Sequence, residues 1–221
     1  GKLSPRQRGL MAEQLKRDSE RHPGRLRAMA MVIGAAAERG TGDLGIVVER
    51  AAGTLQLIET SGNTALGRIQ GLGDLSHASA VFSRDGRFAF VFGRDGGLSK
   101  VDLLEARLVK RVQQAGNSIG GAISQDGQLV AVSNYEPGGV RVFDAKTLEA
   151  VAEIPAVYGT EGKTSKVVGL VDAPGNRFVF SLWDAGEIWI ADLTDRARIG
   201  IRKLTSIGKN PSDVLFPPGG R

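Results

Sequence analysis

From Gly42 onward the chain carries short apolar runs in which apolar and polar residues alternate, each run closed by Gly, Asp or Asn. A period of two over a handful of residues, bounded by turn formers, predicts strands rather than helices. Three long segments share one layout: FSRDGRFAFVFGRDGGLSKVDLLEARLVKRV, ISQDGQLVAVSNYEPGGVRVFDAKTLEAVAEI and VDAPGNRFVFSLWDAGEIWIADLTDRARIGIRKL. Each parses as strand, glycine turn, strand, glycine turn, strand ending in Asp, short turn, strand. The first turn glycines are Gly86, Gly127 and Gly175, 41 and 48 residues apart, and an extra loop at Val157–Lys163 accounts for the longer interval. A four-stranded unit recurring at forty-odd residues is the signature of a β-propeller blade, so the expected class is all-β. Asp102, Asp144 and Asp192 fall at equivalent places, where a carboxylate caps the turn that follows.

Residues 44–70 supply three strands of a preceding blade without its first, and NPSDVLFPPGGR at the C-terminus resembles the opening of another. Two arrangements fit. Val214–Phe216 could complete the first blade and close four blades into a ring, or about four blades form the front part of a longer propeller. Residues 1–39 have another texture. Pro5, Leu10, Met11, Leu15 and Asp18 fall at helical spacing, His22-Pro23-Gly24 breaks the pattern, and a second helical segment spans roughly 25–38. The expected organisation is therefore a helical appendage over 1–39 and blades over 40–221. Residues 28–37 (AMAMVIGAAA) follow two arginines in the manner of a signal peptide but start deep in the chain, and read as a helix end.

With 221 residues and 31 glycines this is a turn-rich chain long enough for a sizeable core. It has no cysteine, which excludes disulfides and thiolate metal sites in the sequence as given. The net charge of +5 is scattered, so a patch for acidic small molecules is compatible with it and a nucleic-acid footprint is not visible. No apolar run reaches the length of a membrane span.

In a meandering blade, the loop before the first strand and the loop between the second and third strands share one face. Here that face collects His77, one of two histidines in the chain, with Arg50, Arg94, Asn117, Tyr135, Lys166, Trp183 and Asp184. One imidazole with several cations and aromatics suits a flat, anionic, metal-bearing ligand: imidazole can coordinate the metal and Arg or Lys can pair with carboxylates. Ordinary solvated loops are the alternative. Gly40–Gly45 matches GxGxxG, but a dinucleotide fingerprint needs a strand before it and a helix opening within it, and the expected order here is reversed.

RGTGDLGIVVERAAGTLQLIET, SHASAVFSRDGRFAFVFGRDGGLSKVDL, GNSIGGAISQDGQLVAVSNYEPGGVRVFD and SKVVGLVDAPGNRFVFSLWDAGEIWIADL resemble the NirF family of haem d1 biosynthesis proteins. More distantly they are similar to the d1 domain of cytochrome cd1 nitrite reductase. The resemblance covers about residues 39–221 and implies the front half of an eight-bladed propeller. It implies binding of haem d1 or its late dihydro-haem d1 precursor, with His77 as the axial ligand of the iron. Arg94, and with it Arg50 and Lys166, would neutralise the tetrapyrrole's carboxylates. It further implies a periplasmic protein acting in nitrite reductase maturation, with other haem d1 maturation proteins and the reductase as partners. A homodimer is compatible with this reading. A late side-chain modification is left open, with Asp172 and Tyr135 as candidates for proton transfer and turn or packing roles as their alternative. Two other functions stand beside it: a cofactor-free protein-interaction propeller, and a nucleotide-dependent dehydrogenase resting on Gly40–Gly45.

Overall fold

A computed structural model describes residues 43–217, and the helices expected over 1–39 lie outside them. The described chain is all-β. Its first sheet has three strands, β1 (Leu44–Glu49), β2 (Thr54–Glu59) and β3 (Thr64–Ile69), in that order. Three four-stranded antiparallel meanders follow. Blade two is β4 (Ser79–Phe82), β5 (Phe88–Phe92), β6 (Gly97–Asp102) and β7 (Arg107–Gln113). Blade three is β8 (Asn117–Ile123), β9 (Leu129–Glu136), β10 (Val140–Asp144) and β11 (Ala150–Ile154). The extra loop folds as a small hairpin, β12 (Val157–Tyr158) with β13 (Lys163–Thr164). Blade four is β14 (Val167–Ala173), β15 (Arg177–Leu182), β16 (Glu187–Asp192) and β17 (Gly200–Leu204).

The sequence of the second strands explains how blades stack. Phe88–Phe92 is continuously apolar because both faces of β5 are covered. Ala89 and Val91 join a core with Leu55 and Leu57 of blade one. Phe90 and Phe92 point the other way, into a core with Ile123, Val130, Val132 and Phe143 of blade three. β9 repeats the rule: Val130 and Val132 face blade two, while Leu129 and Ala131 pack with Phe178, Phe180 and Trp189 of blade four. Period-two geometry thus turns one uninterrupted run into two interfaces. The aspartates close their turns as expected. Asp102 accepts from the amides of Leu104 and Glu105, Asp144 from those of Lys146 and Thr147, and Asp192 from that of Thr194.

Val214–Phe216 does not complete blade one. Residues 212–214 lie instead against Gly169 of β14, and the Ser181 hydroxyl donates to the Ser212 carbonyl at 3.2 Å. The tail therefore sits where the opening strand of a following blade would begin, with Leu215 and Phe216 exposed. The four-bladed closure is excluded for the described residues, and the arc of four blades stands.

Candidate functional site

The chain crosses from the outer edge of blade one to the inner strand of blade two through residues 70–78, which carry His77. This segment is fixed by its backbone. The Arg94 amide donates to the Asp74 carbonyl at 2.8 Å, and the Asp74 amide donates to Asp95 Oδ2 at 3.0 Å. Asp74 in turn accepts the Ser76 amide at 2.8 Å through Oδ1. The Ser76 amide and hydroxyl, with the nearby Arg94 charge, hold the Asp74 carboxyl below its usual range. His77 follows in the next position, its imidazole exposed and engaged by none of the bonds that fix its loop.

Arg94 occupies the turn between β5 and β6, beside this segment. Its guanidinium lies 5.8 Å from the centroid of the Tyr135 ring, which extends from the end of β9 in blade three. Stacking on an aromatic face orients the planar cation without consuming its donors. Ser118, at the top of β8, donates to the Gly93 carbonyl at 2.7 Å and so seats blade three against the same turn. Its neighbour Asn117 holds a buried side-chain oxygen with no hydrogen-bond partner among the described residues. Buried polar atoms are ordinarily paired, which sets this acceptor apart at the seam between blades two and three.

Arg50 is exposed in the β1–β2 turn, and that turn reaches the same loop: a side-chain carbon on Gly53 would lie 2.7 Å from the Gly73 carbonyl. His77, Arg94, Tyr135 and Arg50 therefore belong to one face, across three blades. Lys166 lies on that face too, before β14, but its ammonium is 3.3 Å from Asp184 and its charge is already matched. Asp172 is elsewhere. It sits at the opposite end of β14, where Arg84 of the β4–β5 turn contacts it at 2.9 Å and Gln125 also donates to it. The same Arg84 guanidinium caps the Ile123 and Ser124 carbonyls, so it ties three blades together at that end. Asn134, next to Tyr135, is buried in a reciprocal amide pair with Gln114.

A cleft of about 490 Å³ between blades two and three opens on the Asp172 side. Its buried charged residue is Lys100, which donates to the Ala145 and Lys146 carbonyls at 2.9 and 3.0 Å and lies 4.3 Å from the Phe88 ring centroid. Burial lowers its pKa, opposed by Asp144 and Asp102. Both of its hydrogen bonds run from blade two to blade three, which makes it a structural tie.

A family model for the cytochrome D1 heme domain matches residues 39–221. The chain belongs to the cytochrome D1 heme domain family. Protein NirF of Pseudomonas aeruginosa is 62% identical over 184 residues, covering 83% of this chain and 47% of that protein. NirF of Stutzerimonas stutzeri is 61% identical over the same extent. The chain thus spans about half the length of these curated relatives. The dihydro-heme d1 dehydrogenase of P. aeruginosa is 37% identical over 143 residues, 64% of this chain and 29% of that one. Among solved structures, dihydro-heme d1 dehydrogenase NirN in complex with DHE superposes with a TM-score of 0.66 at 28% identity, over 74% of this chain and 35% of that chain. Hydrazine synthase of Kuenenia stuttgartiensis shares the fold alone, with a TM-score of 0.62 at 18% identity, over 81% and 51% of the two chains.

The residues on the His77 face fit a haem-like ligand on chemical grounds. An exposed imidazole can coordinate iron, a stacked guanidinium can meet a carboxylate, and an unpartnered amide oxygen can accept a polar hydrogen. They supply that chemistry from one side of the ring.

Proposed function

We propose that this protein binds haem d1 or its dihydro-haem d1 precursor on the His77 face, in the maturation of cytochrome cd1 nitrite reductase. His77 is the axial ligand, Arg94 pairs a tetrapyrrole carboxylate, and Arg50 adds positive charge at the rim. Lys166 contributes by exchanging its Asp184 partner for the ligand. The observation that carries this reading is the hydrogen-bonded seating of the His77 loop directly on the Arg94 turn. Family membership and the DHE complex of the NirN neighbour support the same ligand class. The same reading sets the protein in the periplasm, with nitrite reductase and the other haem d1 maturation proteins as partners.

The 37%-identical relative is named a dehydrogenase of dihydro-heme d1. For a corresponding step here, Tyr135 is the proton-transfer candidate that shares the His77 face, whereas Asp172 is committed to Arg84 on the other. A nucleotide site at Gly40–Gly45 finds no support in the described part, where Gly45 lies inside β1 rather than at a helix opening.

Titration of the protein with dihydro-haem d1 tests the proposal. Saturable binding with a shifted Soret band is expected, and His77→Ala should remove the shift. An unperturbed ligand spectrum with wild-type protein would sink it and leave the cofactor-free interaction propeller.

A further inference from the structure

Arg111 ties the outer strand of blade two to the crossing segment. It lies on β7, the outer strand of blade two, opposite Ser99, yet its guanidinium reaches the crossing segment. One donor pairs with Asp95 Oδ2 at 2.7 Å, and Nε donates to the Leu72 carbonyl at 3.2 Å. The same Asp95 oxygen receives the Asp74 amide, while Asp95 Oδ1 receives that of Gly97 at 3.0 Å. The guanidinium occupies space that two glycines leave: a side-chain carbon at Gly73 or Gly97 would stand 2.5 or 2.2 Å from it, and Gly73 has a positive φ besides.

Comparison between blades separates what the repeat requires from what is particular here. In blade four Asp184 accepts the Lys166 amide at 2.9 Å, the same contact that Asp95 makes with Asp74. The carboxylate is thus a device of the repeat. The reach of a guanidinium to the crossing segment is not. The residue at the Arg111 register in blade four is Lys203, opposite Trp189, and its ammonium sits 3.9 Å over the Trp189 ring instead. In blade three the place is taken by Glu153, opposite Arg141, and in blade one by Arg68, opposite Gln56, whose guanidinium pairs with Glu49 instead. Among the described residues, a guanidinium at this register reaches a crossing segment only in the blade whose segment carries His77.

We propose that Arg111, acting through Asp95, is a positioning residue that holds the His77 loop in a ligand-ready pose. This rests on the haem d1 reading above. Partners that orient a metal ligand without touching the metal typically contribute about 10–100-fold in affinity. A lysine cannot replace the fork, because a single ammonium point does not present two fixed parallel donors.

The test compares wild type, Arg111→Ala, Arg111→Lys, Lys203→Ala and His77→Ala by two readouts. In ligand-free protein, amide hydrogen exchange should quicken at residues 74–78 in both Arg111 variants while the strands of blade two keep their protection. In dihydro-haem d1 titrations, both Arg111 variants should bind about tenfold or more weakly. Free imidazole should displace their loosened His77 at lower concentration than in wild type. Lys203→Ala should match wild type in both readouts. If Arg111→Ala binds within about twofold of wild type while His77→Ala loses the Soret shift, the positioning role is overturned and the ligand reading survives. If exchange at 74–78 is unchanged in Arg111→Ala, the clamp itself is refuted. If His77→Ala and wild type titrate alike, the ligand reading fails and takes this role with it.

Discussion

Phe92 is the sharpest test of how the blades are held together. Its ring is fully buried at the end of β5, in the core that blade two shares with blade three. A phenylalanine buries about 150–200 Å² here, which at about 25 cal/mol per Å² corresponds to about 4–5 kcal/mol. An alanine retains about 1 kcal/mol of that burial, leaving a loss of about 3–4 kcal/mol before any cavity contribution. Little collapse can offset it, because the Gly121 backbone already meets the ring edge and the Ala131 carbonyl stands behind it. Phe92→Ala should therefore cost about 3–5 kcal/mol. In a chain of this size that lowers the thermal midpoint by about 6–20 °C. Phe82, also in blade two but 43% exposed, provides the control, and Phe82→Ala should cost about half as much, about 2 kcal/mol. Urea unfolding followed by circular dichroism measures both. Equal losses for the two variants, or a loss below about 1 kcal/mol for Phe92→Ala, would refute the assignment of alternate β5 residues to the two interfaces.

Other consequences are accessible to the same methods. Asp74, Asp144 and Asp192 are all held below the usual carboxylate range, chiefly by backbone amides. Their folded pKa values lie below the unfolded ones, so their contribution is complete above about pH 4 and drains away as pH falls through the folded values. The urea midpoint should drop as pH falls below about 4, and a flat profile there would contradict the capping account. Lys100→Ala strips donors from the Ala145 and Lys146 carbonyls and should cost about 1–3 kcal/mol by urea unfolding; no change would show that the cleft lysine ties nothing. Asp172→Asn breaks a half-exposed ion pair worth about 1 kcal/mol or less and should leave dihydro-haem d1 affinity untouched. A changed affinity would bring Asp172 back into the site.

The blades were legible because propeller chemistry repeats itself along the chain: the Asp-Gly turns, the continuously apolar second strands and the aspartate caps recur in register. The same logic placed Arg94 beside the His77 loop, since both positions follow from the meander alone. What could not be read was side-chain reach. Arg111 sits in LVKRVQ among cations that look solvated, and only the fold shows that it crosses to Leu72 and Asp95. Lys166 likewise gave no sign of its partner Asp184, eighteen residues away on the next turn. Asp172 stood as a proton-transfer candidate beside a turn or packing role, and the distant Arg84, brought near by blade packing, explains its position. The ambiguity over Val214–Phe216 was one of closure, which depends on long-range geometry that local patterns do not encode.

The chain has only two histidines, which makes the central claim directly measurable. Protein labelled with 15N at histidine, loaded with ferric dihydro-haem d1 and examined by pulsed electron paramagnetic resonance, reports whether a histidine nitrogen is bonded to the iron. The account predicts a strong 15N hyperfine coupling that persists in His22→Ala and disappears in His77→Ala. A coupling that survives in His77→Ala, or none in wild type carrying bound ligand, would contradict it.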